Sequence, residues 1–202
     1  MNSAMLIGVA IKASIVLTMI GTLLTALVVA REWERGTMEA LMATPISMAE
    51  FIATKVVPYF LLGLGSALMC TVLAITVFGV PFRGSPWALL LIVSAFMVPA
   101  LGQGLFISAV TKNQFVASQI ALLTAFLPAL LLSGFLYEIS SMPAWIRLLT
   151  YAVPVRYLMP SLQSVFLAGD IWSLFLPDML AMLGFGLVFF AATARVTQRR
   201  VA

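Results

Sequence analysis

Asp170 and Asp178 stand eight residues apart at the start of the last long apolar segment, a pairing that invites a reading as an intramembrane carboxylate dyad. Both fall near the expected membrane surface, so surface acids are the expectation and catalysis is not. The other ingredients of catalysis are missing. The chain has no histidine, which removes the commonest general base and the commonest zinc ligand and rules out a Ser-His-Asp triad. No serine stands in a Gly-x-Ser-x-Gly elbow. Cys70 is the one cysteine, which excludes a disulfide within the chain and a multi-cysteine metal site. Lys12, Lys55 and Lys112 are followed by Ala13, Val56 and Asn113 and lack the glycine frame of a phosphate-binding loop. These residues predict no catalytic site, no metal site and no bound cofactor.

The groups that remain sit in a chain built for a bilayer. Hydrophobic residues make up 63% of the 202 and charged residues 9%, against about a quarter charged in an average soluble domain. With a mean hydropathy of +1.14, a soluble enzyme is excluded. The net charge of +4 fits cytoplasmic anchoring better than nucleic-acid binding. Five apolar runs reach the roughly 20 residues a membrane helix needs, at about 5–30, 51–79, 87–111, 114–137 and 171–194. None alternates with the two-residue period of a barrel strand. The expectation is an all-α integral membrane protein with five transmembrane helices, forming a single domain over residues 1–202. Lys12 interrupts the first run, and Val28-Val29-Ala30 leads straight into Arg31-Glu32, which argues against a cleaved signal peptide.

Charge orients these spans. The tail holds Arg195, Arg199 and Arg200 and no acid, which places the C-terminus in the cytoplasm. The loop from Arg31 to Glu50 and the turn at Lys112 then share that side, which carries seven basic residues against four opposite. On the far side, Pro143 opens the amphipathic stretch Ala144 to Tyr151. Pro154 and Pro160 flank Val155 to Met159, and Ser161 to Ala168 forms a further short piece. Each is too short to span, so short extracytoplasmic re-entrant or interfacial helices are expected there.

The cytoplasmic connection is the most specific stretch. Gly36 suits the end of a helix protruding from the membrane, because a left-handed residue there carries no Cβ penalty. Thr37 can cap a short second helix and Pro45 limits it. Met38, Leu41 and Met42 give that helix one apolar face, and Ser47 to Glu50 forms a capping box for the next long helix. Deeper in the bundle, Pro99, Gly102-Gln103-Gly104 and Pro128 weaken their helices. They read either as hinges with Gln103 on a substrate path or as close packing through small residues. Lys12 reads as a snorkelling cation. Glu138 reads as a gate or substrate contact, or else as a surface acid paired with Arg147 or Arg156.

The run Arg31-Glu32-x-Glu34-Arg35-Gly36-Thr37-x-Glu39-x-Leu41-x-x-Thr44-Pro45, followed by Lys55-Val56-Val57-Pro58-Tyr59, resembles the permease of ABC-2 type exporters, closest to the drug-efflux branch. The later Met142-Pro143, Tyr151-x-x-Pro154 and basic tail are similar to the same family, so the resemblance covers nearly the whole chain. It implies a cytoplasmic coupling helix that docks on a separate ATP-hydrolysing subunit. Glu32, Glu34, Arg35, Gly36, Thr37, Glu39, Leu41, Thr44 and Pro45 would make that contact. It also implies a second permease subunit, either a copy or a close relative, with ATP and Mg held by the partner ATPase. The setting would be a bacterial-type plasma membrane, and the cargo lipophilic or amphipathic compounds. Family members usually carry a further helix and an extracytoplasmic domain ahead of the first helix seen here, so the expectation is a chain lacking both. A non-transporting scaffold or truncated remnant is the alternative reading. An ion-coupled transporter subunit is a further one, disfavoured because the spans hold no mid-depth charge except Lys12.

Overall fold

The computed structural model describes residues 19–36, 48–77, 79–132 and 141–198. The described chain is all-helical. A π-helical turn, Met19–Leu23, runs into α1, Leu24–Glu34. Then come α2, Met48–Thr76; α3, Pro86–Thr111; and α4, Gln114–Ala121. A second π-turn, Leu122–Phe126, joins α4 to α5, Leu127–Leu132. Two shorter helices follow, α6 at Ala144–Thr150 and α7 at Val155–Leu167, before the long α8, Trp172–Gln198.

Four helices among the described residues are long and apolar enough to cross a membrane: Ala53–Thr76, Pro86–Thr111, Gln114–Leu132 and Trp172–Thr197. They correspond to the second to fifth apolar runs. Of the first run, Lys12 and the residues before Met19 lie outside the described residues. The second helix stops at Thr76, short of the expected 79, because the chain turns there and Gly79 takes a positive φ of 60°. The last helix carries one turn beyond 194, so Arg195 lies within it.

Local chemistry sets the ends. Ser85 caps α3, its Oγ accepting from Ala88 N at 3.1 Å, and Pro86 supplies a first position that needs no N–H. At the other end Lys112 adopts a left-handed conformation (φ 54°) and donates its N–H to Ser108 O. Asn113 Oδ1 then caps α4 through Val116 N at 3.0 Å.

The bundle is organised around α3. Its Ile92, Phe96, Met97 and Leu101 are fully buried among Leu158 and Leu162 of α7 and Phe175 and Met182 of α8. Small residues let the neighbours approach closely. A Cβ added at Gly104 would fall inside Thr25 Oγ1, and one at Gly102 would lie 3.1 Å from Phe189 Cβ. Close packing is therefore what Gly102 and Gly104 do in this structure.

One expectation is corrected. Pro160 does not separate two short pieces, because α7 runs through it from Val155 to Leu167. The ring's fixed φ is helical, and a single proline deletes only one backbone bond. The far end of α7 is pinned at the start of α3. Gly84 N donates to Val165 O at 2.8 Å, Arg83 Nη1 to Leu167 O at 3.2 Å, and Ser85 N to Asp170 Oδ1 at 2.8 Å.

Candidate functional site

The charged end of α1 is tied to two other parts of the bundle. Lys55 Nζ of α2 bonds Glu32 Oε1 at 2.7 Å, with both side chains only about a quarter exposed (28% and 21%). Glu34 reaches across 80 residues of sequence to the first residue of α4. Its Oε1 accepts from Gln114 N at 2.8 Å, and its other oxygen accepts from Gln114 Nε2. A carboxylate at that position meets an unpaired N–H at the positive end of a helix dipole. Arg31 Nε donates to Gln114 Oε1 at 3.3 Å. Slightly deeper, Ala30 N donates to the buried Ser108 Oγ of α3 at 2.6 Å. The result is a polar clasp in which the last turn of α1 holds α2, α3 and α4 at one end of the bundle.

Beyond the clasp, Arg35 is exposed and Gly36 closes the helix at φ +69°, the left-handed conformation its position calls for. An added Cβ at Gly36 meets nothing within 4 Å, so the constraint there is the backbone angle and not space. Thr37, Glu39, Leu41, Thr44 and Pro45 lie outside the described residues, as does Glu138. The structure thus brings Glu32 and Glu34 into one cluster with Arg35 and Gly36 adjoining it. It adds Lys55 and Gln114, which the site reading lacked. Their signal was positional. Lys112-Asn113-Gln114 is a polar island between two apolar runs on the side already assigned to Arg31–Glu50, so partners for its donors belonged among those acids.

Gln103 is elsewhere. It lies about 12 Å of helix rise from Thr111, well inside the bundle. Its Nε2 donates to Thr124 O at 3.2 Å. That carbonyl stands four residues before Pro128, which has no N–H to offer it, so Gln103 supplies the bond the proline removed. Half of the amide therefore has a structural duty. The same side chain lines a cavity of about 50 Å³ together with Thr22, Thr124, Phe96, Phe189 and the turn before α7 at Val153–Val155. Thr22 belongs to the first π-turn and Thr124 to the second, and such turns recur at functional sites. Thr22 Oγ1 is buried without a hydrogen-bond partner among the described residues. Asp178, the other acid weighed at the outset, accepts from Ser161 Oγ at 2.8 Å, while Asp170 braces the start of α3. They serve different helices and form no dyad.

A helical bundle with four described helices long and apolar enough to cross a membrane defines a polytopic membrane protein. The family model described as ABC-2 type transporter matches residues 4–167, and the chain belongs to that family. It is 47% identical over 188 residues to the probable multidrug ABC transporter permease YbhS of Escherichia coli K12, covering 93% of this chain and 50% of YbhS. It is 30% identical over 152 residues to the probable multidrug ABC transporter permease YbhR of the same strain, covering 75% and 41% of the two chains. To the inner membrane transport permease YhhJ, also from K12, it is 27% identical over 177 residues, covering 86% and 46%. The chain spans about half the length of the curated relatives it matches.

Proposed function

We propose that this chain is the membrane-spanning permease part of an ATP-driven exporter that moves lipophilic or amphipathic, drug-like compounds out of the cytoplasm. In this reading residues 1–202 form one membrane domain with five spans, the C-terminus is cytoplasmic, and the setting is a bacterial plasma membrane. Hydrolysis belongs to a separate P-loop ATPase carrying ATP and Mg, and a second permease subunit completes the pathway. Residues Glu32 to Pro45 form the docking segment. The multidrug names of YbhS and YbhR support the substrate class.

The observation that carries the reading is the clasp. A segment that moves on nucleotide binding needs a stiff connection to the rest of the bundle. Glu32–Lys55 and Glu34–Gln114 tie the end of α1 to both α2 and α4. Displacing that end biases the whole bundle between two arrangements. The helices α6 and α7 fit a re-entrant element. The turn between them reaches the level of Gln103 and Phe189, each about 25 Å of helix rise from the Pro86 and Trp172 ends. The other end of α7 returns to the level of Gly84.

Native mass spectrometry after mild-detergent extraction tests the proposal. The expected result is a P-loop ATPase in equal ratio with permease subunits. The chain alone, under conditions that preserve such complexes, would overturn it.

A further inference from the structure

Residues 141–169 contain two basic side chains, Arg147 and Arg156, and no acid. Arg156 lies in the first turn of α7, next to Val153–Val155, which line the cavity shared with Gln103 and Phe189. On the re-entrant placement proposed above, it therefore stands about 20 Å inside the surface marked by Pro86, within a hydrocarbon core about 30 Å thick. A cation at that depth needs a protein partner, water or a ligand.

The described residues meet this need only in part. One terminal nitrogen of Arg156 donates to Arg147 O at 3.2 Å and to Thr150 Oγ1, and the guanidinium lies 3.6 Å from the centre of the Tyr151 ring. Tyr157 O–H donates to Tyr151 O at 3.1 Å and stiffens the same turn. These contacts are to neutral groups, and they hold the guanidinium in a fixed place without neutralising it. Among the described residues nothing accepts from its Nε or its second terminal nitrogen, two donors in the fork geometry that suits an oxyanion. The described carboxylates of neighbouring segments are committed elsewhere, Asp178 to Ser161 and Asp170 to Ser85. The N-terminus of α7 adds partial positive charge to the same spot. Around it the surface is apolar, with Trp145, Leu148 and Leu149 exposed on α6.

We propose that Arg156 is the recognition group of a site at membrane depth for the anionic head of an amphiphile, whose apolar tail lies along α6. A carboxylate or phosphate head has the required chemistry, whether it belongs to a transported compound or to a membrane lipid.

The test uses the full chain in dodecylmaltoside and a fluorescent anionic amphiphile, 11-(dansylamino)undecanoic acid, beside its neutral methyl ester. The unmodified protein is expected to bind the acid at least tenfold more tightly than the ester. R156Q should bring the acid down to the affinity of the ester, while R195Q retains the preference. Displacement of the acid by added phosphatidylglycerol would assign the site to a lipid head, and persistence would assign it to a soluble amphiphile. Equal binding of acid and ester by the unmodified protein overturns the proposal without recourse to any variant. So does an acid preference that appears only in E138Q, which would make Glu138 the partner of Arg156. The measurement needs neither ATP nor a partner, so a chain that captures no ATPase yet prefers the acid would fail as an exporter subunit and keep this site.

Discussion

α2 and α3 are both long apolar helices, yet they stand in opposite surroundings. Two thirds (67%) of the most apolar stretch of α3 is buried inside the protein, against 11% of that of α2. α3 turns Ile92, Phe96 and Met97 inward, while α2 presents Val57, Leu61, Leu62, Met69 and Val72 to its surroundings. The difference shows that hydropathy reports the solvent a helix can tolerate and says nothing about its neighbours. What separates the two is the placement of small and hydroxyl residues. Gly104 and Ser108 of α3 meet backbone or hydroxyl groups of the first helix. In a bilayer, where lipid tails are as apolar as leucine, such close approach and interhelical bonds are what hold helices together.

The largest effect should come from closing that approach. Gly104→Val places new atoms against Thr25 Oγ1 and Thr22 O, on two residues that are themselves fully buried. Overpacking of this kind costs about 3 kcal/mol. Thermal unfolding in detergent, followed by size-exclusion chromatography, should show a strongly lowered midpoint or no folded peak. A midpoint equal to that of the unmodified chain would deny α3 its central role.

A smaller loss is expected one turn further along. Ser108→Ala removes the acceptor that Ala30 N uses at 2.6 Å, an interhelical bond worth about 1 kcal/mol in a membrane bundle. At the clasp, Lys55→Met leaves Glu32 without this cation. Partly exposed pairs contribute about 1 kcal/mol or less, so the stability loss should be slight. Its consequence belongs to function. If the clasp transmits motion, transport per ATP hydrolysed falls in Lys55→Met and Glu34→Gln while hydrolysis persists. Unchanged coupling in both would show that the end of α1 is held for stability alone.

The second to fifth apolar runs were legible as long helices because apolar runs of membrane length admit few other structures. The helix end at Gly36 was legible because a left-handed residue acts within a few positions, and the caps at Ser85 and Asn113, not read from the sequence, are equally local. Pairings across the bundle were not. Nothing near Glu34 in the sequence names Gln114 as its partner, and the bond from Gln103 to Thr124 O follows from Pro128 only once the two helices are known to touch. Pro160 misled for the opposite reason, since a local signal was overridden by the packing that keeps α7 continuous. Leu62-Gly63-Leu64-Gly65 states the limit most directly. Its two glycines are indistinguishable in sequence, yet a Cβ at Gly63 would strike Met97 of α3 while one at Gly65 meets nothing within 4 Å.

That pair of glycines yields the smallest effect and the sharpest use of the comparison. Gly65→Ala removes a flexible residue from a helix interior without filling any occupied space, so the folded chain should gain about 0.5 kcal/mol. Thermal unfolding in detergent should show the midpoint unchanged or slightly raised. Under the proposed function, lipid and a second permease subunit are the two candidate neighbours for the exposed face of α2, and the added methyl separates them. Lipid tails rearrange around it at no cost, whereas two helices meeting at a glycine are forced apart. Crosslinking in native membranes gives the answer. An undiminished dimer yield in Gly65→Ala places lipid on this face. A lost dimer, with the monomer's midpoint intact, would make α2 the seam between the two permeases, and its low burial in the single chain would then mark an interface.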